Sequence, residues 1–432
     1  MTDSTQKPQP SQIVRAPRGT EDLFGERMAR QQRLEHVARE TFGVFGYKEI
    51  RTPVFEDIAL FVRGIGATTD IVEKEMYTLA QGDETTFALR PEGTASVMRA
   101  YVEHNLFKSK KFQKFYYMGP IFRHERPQAG RMRQFDQIGV EVIGTYDPLA
   151  DVETILLAAE IFRKIGLTGS TIKLNSFGCP SCRQRYRDAL REALRSVEDR
   201  LCKNCKSRID RNVFRVLDCK EELCKELTAD APCIRDYLDD ECREHFEKVK
   251  SGLEQNGLVY TLDDRMVRGL DYYTKTIYEI AHPALGARDA ICGGGRYDGL
   301  VEEVGGPPTG GVGFAIGVVP TLLALEKQEQ GEIELDGGPT LFVIAISDED
   351  RPFAFSLMAR LRREGIAADT GYEGKSWKKQ MRAANRDKAK HILVIGSNER
   401  ETGRYKLKEM STGTETDVDE AGLIERLKCV TQ

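Results

Sequence analysis

The 432-residue chain has no apolar run approaching the roughly 18 residues a membrane-crossing helix needs, and its polar opening, Met1 to Pro17, lacks the apolar core of a secretory signal. A membrane protein is therefore not expected, and the cytoplasm is the default compartment. Neither sign of charge is in excess: 64 Lys and Arg stand against 68 Asp and Glu, a formal net charge of −4. Such a balance gives no global attraction to nucleic acid or anionic lipid, so any anion must be met by a local patch. No long internal repeat or low-complexity tract is present. Disulfide scaffolds are usually short, and a chain of this length buries a full core without staples, so the ten cysteines point to metal instead.

At about 100 to 200 residues per domain the length implies two to four domains. From Arg27 to Gly46, Leu34, Val37, Ala38, Thr41, Phe42 and Phe45 recur at three- and four-residue steps, which predicts a helix with one buried face, closed by Gly46. Tyr47 to Phe55 reads as a strand interrupted by Pro53, hence at an edge or interface. Short apolar runs, Phe115 to Met118 and Phe135 to Val142, predict antiparallel strands. Eight of the ten cysteines fall between Cys179 and Cys242 beside a charged helical stretch, which reads as an inserted small domain. After a charged and Gly-Gly-Pro linker, strands and helices alternate from Leu341 to Ile395, implying a small α/β domain with a largely parallel core.

Between Lys108 and Arg133 eight basic residues face one acidic residue, Glu125. That asymmetry asks for an anion. Arg123 is placed on the first strand of a hairpin, Arg126 and Arg131 in its loop, and Gln137 and Glu141 on one face of the second strand, being four apart. The triple glycine Gly293-Gly294-Gly295 is neither a P-loop, since no Gly-Lys-Ser/Thr follows, nor a dinucleotide fingerprint in a βαβ context. Its use is the close approach of backbone to a substrate.

The blocks Leu89-Arg90-Pro91-Glu92-Gly93-Thr94, Phe122 to Gln137, Val267-Arg268-Gly269-Leu270-Asp271-Tyr272-Tyr273 and Gly293 to Asp298 resemble, in order, the signatures of class II aminoacyl-tRNA synthetases and specifically the histidyl-tRNA synthetase family. The resemblance implies an α+β fold. An antiparallel-sheet catalytic domain would occupy 18–174 and 254–326, interrupted by a cysteine-rich, mainly helical insertion domain over 175–253. A linker over 327–339 and an α/β anticodon-binding-like domain over 340–432 would follow, with a disordered N-terminus over 1–17. Arg27 to Pro53 is similar to the dimer-forming motif of the class, so a homodimer is implied.

By the same resemblance the substrates are L-histidine, ATP with Mg2+, and tRNA-His. Activation brings a carboxylate onto a phosphate, so fixed cations are needed where negative charge builds up. The family implies Arg123 and Arg268 as the catalytic pair, with Arg131 also at ATP. Arginine suits the task because its permanently charged planar fork binds phosphate oxygens in pairs. An imidazole offers one N–H and one bare nitrogen, and a buried carboxylate and a phenol are apt partners. The family implies Glu141 and Tyr273 at the ring, Tyr272 and Tyr297 in the pocket wall, and Glu92, Thr94 and Gln137 at the α-amino group. Trp377 with Lys375, Lys378, Lys379 and Arg382 are candidate anticodon contacts.

One departure stands out. Gly311 to Gly317 matches the glycine-rich strand of the third class motif, yet Val318-Val319-Pro320 follows where the family carries an acidic residue and an arginine that grips ATP. Arg296 is one candidate to replace that cation. The loss keeps a second reading open, a histidine-sensing regulatory paralogue resembling the partner of ATP phosphoribosyltransferase. In the insert, Cys179-x-x-Cys182 and Cys202-x-x-Cys205, 19 residues apart, have the spacing of a four-thiolate zinc site, with Cys219, Cys224, Cys233, Cys242 and His245 as further candidate ligands.

Overall fold

The computed structural model describes residues 13–66, 69–81, 84–128, 130–286, 289–328, 338–372 and 376–429. Most of the N-terminus read as disordered over 1–17, and most of the linker read over 327–339, lie outside these residues. The chain divides into two compact units, residues 1–331 and 332–432. No helix among the described residues is long and apolar enough to cross a membrane.

The first unit is built on an eight-stranded sheet in the spatial order Lys48–Glu49, Gln113–Phe122, Gln134–Ile143, Gly311–Gly317, Ala290–Arg296, Thr274–Ala281, Thr171–Ser176 and Tyr260–Leu262. Its six central strands pair antiparallel, and a short parallel strand closes each edge. Strand alternation sorts the side chains. Ile138, Val140, Val142, Val312, Phe314 and Ile316 face a dry core that Leu34, Ala38 and Phe42 of the helix Gly25–Val44 also enter, together with Ile155, Ala158 and Phe162 of the helix Pro148–Ile165. Each of the larger of these side chains contributes roughly 1.5–3 kcal/mol of apolar burial. The opposite parity, Gln137, Gly139 and Glu141 with Gly313 and Ala315, is left for the other face.

Helix Gly25–Val44 ends as its sequence requires: Gly46 adopts φ +78° and the Tyr47 N–H returns to the Phe42 carbonyl at 2.9 Å. The single strand expected over Tyr47 to Phe55 is instead two. Lys48–Glu49 joins the edge of the main sheet, while Phe55–Asp57 pairs with Glu84–Leu89 in a separate three-stranded sheet. Pro53, which has no N–H to donate, lies between the two.

The cysteine-rich stretch forms helices Pro180–Arg195, Lys203–Arg211, Glu222–Leu227 and Asp240–Gln255, joined by short turns. It is continuous with the first unit, since Cys182, Tyr186, Leu190 and Leu194 share one apolar cluster with Val97, Met98 and Tyr101. In the second unit Ala368–Thr370, Leu341–Ala345 and His391–Ile395 pair parallel, and Tyr405–Glu409 and Glu415–Val418 continue antiparallel. The largely parallel core expected there holds for three strands of five. The last two form a hairpin turned by Gly413 at φ +74°, a signal that the strand-and-helix alternation passes over.

Candidate active site

The polar face of the main sheet has a floor of small residues. Across four strand boundaries runs the row Tyr117, Gly139, Ala315, Gly293, Glu279, and beside it the row Phe115, Glu141, Gly313, Gly295, Ile277. The glycines are there for what lies on them. A Cβ on Gly139 or on Gly93 would stand 2.3 Å from the Tyr117 ring, and one on Gly313 would stand 2.4 Å from a Glu141 carboxylate oxygen. A Cβ on Gly293 would stand 2.2 Å from Arg268 Nη2. The floor thus lets a tyrosine, a glutamate and an arginine lie flat against backbone.

Glu141 is buried, and the Tyr297 hydroxyl donates to it. Burial pushes its carboxyl up to about 8, against the pull of the Tyr297 and Thr94 hydroxyls. Tyr272 packs against Tyr273 at 4.9 Å between centroids and edge-on to Tyr297 at 5.6 Å. Glu92 is also buried and also raised by burial, although its two oxygens accept the backbone N–H groups of Thr94 and Ala95 at 2.7 Å each. These bonds take up the first two N–H groups of the helix Thr94–Glu103, which starts after Gly93, and hold Thr94, whose hydroxyl acts on Glu141.

Arg268 borders this pocket with its guanidinium 5.9 Å from the Tyr273 ring centroid and ion-paired to Glu279. Burial alone would weaken its hold on the proton, and the Glu279 carboxylate together with Tyr273, Tyr272 and Cys292 more than reverses that, so it stays cationic. Arg123 follows the end of the strand Gln113–Phe122 rather than lying on it, and its N–H still pairs across the hairpin with the Arg133 carbonyl at 2.9 Å. Its Nε donates to the Pro91 carbonyl at 2.8 Å, its guanidinium lies 5.6 Å over the Phe135 ring, and its charge acts on Glu92. Arg131 pairs with Glu125, which also approaches Arg123 at 4.0 Å.

Among the described residues Gln137 Oε1, Glu141 Oε1 and Arg268 Nε are buried here without a partner. An unpaired buried polar atom costs about 1–3 kcal/mol, so these are the atoms a polar ligand would satisfy. Beside Arg268 opens a cavity of about 330 Å3, walled by Asp70 and Lys74 on one side and by Arg208, Arg211 and Arg215 of the insert on the other. Arg215 to Asp70 at 3.1 Å and Arg211 to Glu73 tie the insert to that wall.

The sequence reading did not single out Tyr117, Glu279 or Arg215. Two of its expectations change. Arg296 cannot supply the missing third-motif cation: it is fully buried and all five of its N–H groups are spent on Asp151, Asp298 and the carbonyls of Thr145 and Asp147. Cys179, Cys182, Cys202 and Cys205 do not form one four-thiolate site. Cys202 and Cys205 gather with Cys219 and Cys224, whereas Cys179 and Cys182 gather with Cys242 and Asp239, each set of ligand atoms lying within 4.8 Å. The CxxC spacing makes each pair a half-site, and the fold supplies each with a different second half.

The basic stretch Lys108 to Arg133 also divides. Lys108, Lys110, Lys111 and Arg126 are exposed, Lys114 is paired with Glu153 at 2.7 Å and Arg133 Nε donates to the Glu125 carbonyl at 3.2 Å, leaving Arg123 and Arg131 for the site. Pro320 stands in the first turn of the helix Val318–Gln328, where its missing N–H breaks no helical bond. Trp377, Lys378, Lys379 and Arg382 are exposed on the second unit; Lys375 lies outside the described residues.

The histidyl-tRNA synthetase family profile matches residues 19–320, and an anticodon binding domain profile matches residues 340–430. The histidine--tRNA ligase of Geobacter metallireducens is 48% identical, covering 94% of this chain and 97% of the relative. That of Halothermothrix orenii is 46% identical over 96% of this chain and 99% of the relative. Among solved structures, apo histidyl-tRNA synthetase of S. aureus superposes with a TM-score of 0.80 at 35% identity, covering 96% of this chain and all 100% of that one. The ATP phosphoribosyltransferase regulatory subunit/histidyl-tRNA synthetase of Bacillus halodurans C shares the fold, with a TM-score of 0.65 at 22% identity over 90% of this chain. Matches of this extent along both units settle membership: the chain belongs to the histidyl-tRNA synthetase family.

Proposed function

We propose that the protein ligates L-histidine to tRNA-His at the expense of ATP. The observation that carries the reading is the buried Glu141 carboxyl, paired with Tyr297, with Gln137 Oε1 and Arg268 Nε left unpartnered on the same face. In the first step a histidine carboxylate oxygen attacks the α-phosphorus and pyrophosphate leaves. In the second the terminal ribose hydroxyl of tRNA-His attacks the carbonyl carbon and AMP leaves.

Glu141 and Tyr273 read the two imidazole nitrogens, with Tyr272 and Tyr297 closing the wall, so an analogue without those hydrogen bonds leaves buried polar groups unpaired. Glu92, Thr94 and Gln137 hold the α-amino group. Arg123 and Arg268 are catalytic: they bind the α-phosphate and the approaching carboxylate and take up the charge of the transition state. Arg131 meets the outer phosphates of ATP. Mg2+ enters with ATP and neutralises phosphate charge; Glu125 and Glu75, close to Arg123 and Arg131, are the carboxylates positioned to meet it.

Cys202, Cys205, Cys219 and Cys224 suit a structural zinc ion, having four soft sulfurs with Cys202 and Cys219 Sγ 3.9 Å apart. Trp377, Lys378, Lys379 and Arg382 meet the anticodon loop by stacking and phosphate contact. The protein works in the cytoplasm as a homodimer, with exposed Val54 and Phe55 beside Pro53 at the seam. Light scattering tests that assembly, and a monomer at working concentration refutes it. Histidine-dependent exchange of labelled pyrophosphate into ATP tests the activation step. The regulatory-paralogue reading has one feature in its favour, Pro320 in place of the motif arginine; histidine binding without exchange is the result it requires.

A further inference from the structure

Two insert helices begin at one point. Cys179 is the residue before the helix Pro180–Arg195 and Asp239 the residue before Asp240–Gln255, and Cys182 and Cys242 each stand three positions further on, in the first turns. The three sulfurs and a carboxylate oxygen lie within 4.8 Å of one another, with Cys179 Sγ 3.5 Å from Cys182 Sγ and 3.1 Å from Asp239 Oδ2. Tetrahedral zinc, with bonds of about 2.3 Å to sulfur and about 2.0–2.2 Å to oxygen, holds its ligands roughly 3.5–3.8 Å apart. The backbone N–H of Asp239 already donates to Cys182 Sγ at 3.1 Å, and Arg185 reaches the same sulfur at 3.7 Å. Such outer donors, with two helix N-termini, favour thiolate ligands.

The neighbours of these ligands face the histidine pocket. Arg183, next to Cys182, donates through Nη1 to the carbonyls of Asp271 and Tyr273, both at 3.0 Å. Glu241, next to Cys242, pairs with Lys275 Nζ at 2.8 Å, and the Lys275 N–H donates to the Gly178 carbonyl at 2.8 Å. Lys275 holds a left-handed backbone, φ +46°, unusual for a side-chain-bearing residue. The two helix starts thus grip the segment Asp271 to Lys275 from both ends, and Tyr272 and Tyr273 lie between.

We propose that Cys179, Cys182, Asp239 and Cys242 bind a zinc ion distinct from the one at Cys202, and that this ion sets the position of Tyr272 and Tyr273. The three thiols release their protons to solvent on binding. Arg183 is a positioning residue. The second half of the proposal rests on the histidine-pocket reading; the first does not.

The test is elemental analysis of the full-length protein, purified without chelators, with kinetics on the same samples. Two zinc ions per chain are expected. Cys242→Ala and Asp239→Asn should each lose one, Cys224→Ala the other, and Cys242→His should retain both. Cys242→Ala should raise the histidine KM in pyrophosphate exchange by roughly tenfold or more, with little change for ATP, and Arg183→Ala should do the same with zinc intact. A wild-type count of none, a single zinc that Cys242→Ala retains, or a Cys179–Cys182 disulfide in its place overturns the metal site. Zinc loss with an unchanged histidine KM overturns the positioning role. If wild-type protein exchanges no pyrophosphate, the ligase reading fails on its own, and the histidine Kd by calorimetry takes the place of KM.

Discussion

The Tyr297 hydroxyl donates to the Glu141 carboxyl with both side chains buried, although 156 residues separate them in the chain. Burial holds that carboxyl protonated up to about 8. A free imidazole titrates near 6.5, so between roughly pH 6.5 and 8 the empty pocket and neutral histidine together carry one proton. If the bound pair shares that proton, histidine affinity is flat across this window. It falls above about pH 8, where a proton must be taken up, and below about 6.5, where one must be lost. Calorimetric titration across pH checks both limbs, and Glu141→Gln should abolish only the upper one. An affinity that climbs through pH 8 contradicts the shared proton.

The same carboxyl sets a stability slope. From its ordinary value of 4.5 up to about 8 the native state binds the proton that the unfolded chain has released, so stability falls as pH rises through that range. Glu141→Gln should flatten the slope in urea titrations. It should also narrow the preference for histidine over ring analogues by about 10- to 100-fold, the equivalent of a hydrogen bond to a charged group, about 1.5–3 kcal/mol.

Arg268→Ala should slow adenylate formation by about 10^2–10^3-fold, the usual cost of losing one preorganised transition-state contact. Histidine binding should weaken far less, and equal losses would refute the assigned role. Gly293→Ala should share the phenotype, since its Cβ would occupy the place of Arg268 Nη2. Single-turnover kinetics beside equilibrium binding separates the two effects.

Arg296→Met leaves Asp151 buried without its cation and should cost about 3–5 kcal/mol in denaturant unfolding. The Asp151 carboxyl lies down at about 2, where Arg296 and His245 outweigh the opposing effect of burial. Its contribution is therefore complete above its ordinary value of 3.8 and is lost as pH falls towards 2.

Pro320→Arg places a cation in the first turn of the helix Val318–Gln328, where the family carries one. It should lower the ATP KM by about tenfold, consistent with one charge-assisted hydrogen bond. An unchanged KM means that ATP is gripped elsewhere in this chain.

Helix Gly25–Val44 was legible because Leu34, Ala38 and Phe42 repeat at helical spacing, and the second hairpin strand because Gln137 and Glu141 fall on the parity opposite to Ile138, Val140 and Val142. Tyr117 was not, because its place over Gly139 is a register between strands, set by tertiary pairing. Arg296 misled for a related reason. Plain alternation along the strand Ala290–Arg296 sets it opposite the core-facing Val312, on the interior side, and leaves Tyr297 for the pocket. The cysteine spacing identified half-sites, but which halves meet depends on where four helices begin.

Pyrophosphate exchange bears on the central claim most directly. Purified full-length protein given ATP, Mg2+ and labelled pyrophosphate should form labelled ATP only when L-histidine is added, and Arg268→Ala should slow that exchange by about 10^2–10^3-fold. Tight histidine binding with no exchange by the wild-type chain would contradict the claim that this pocket joins the amino acid to the nucleotide.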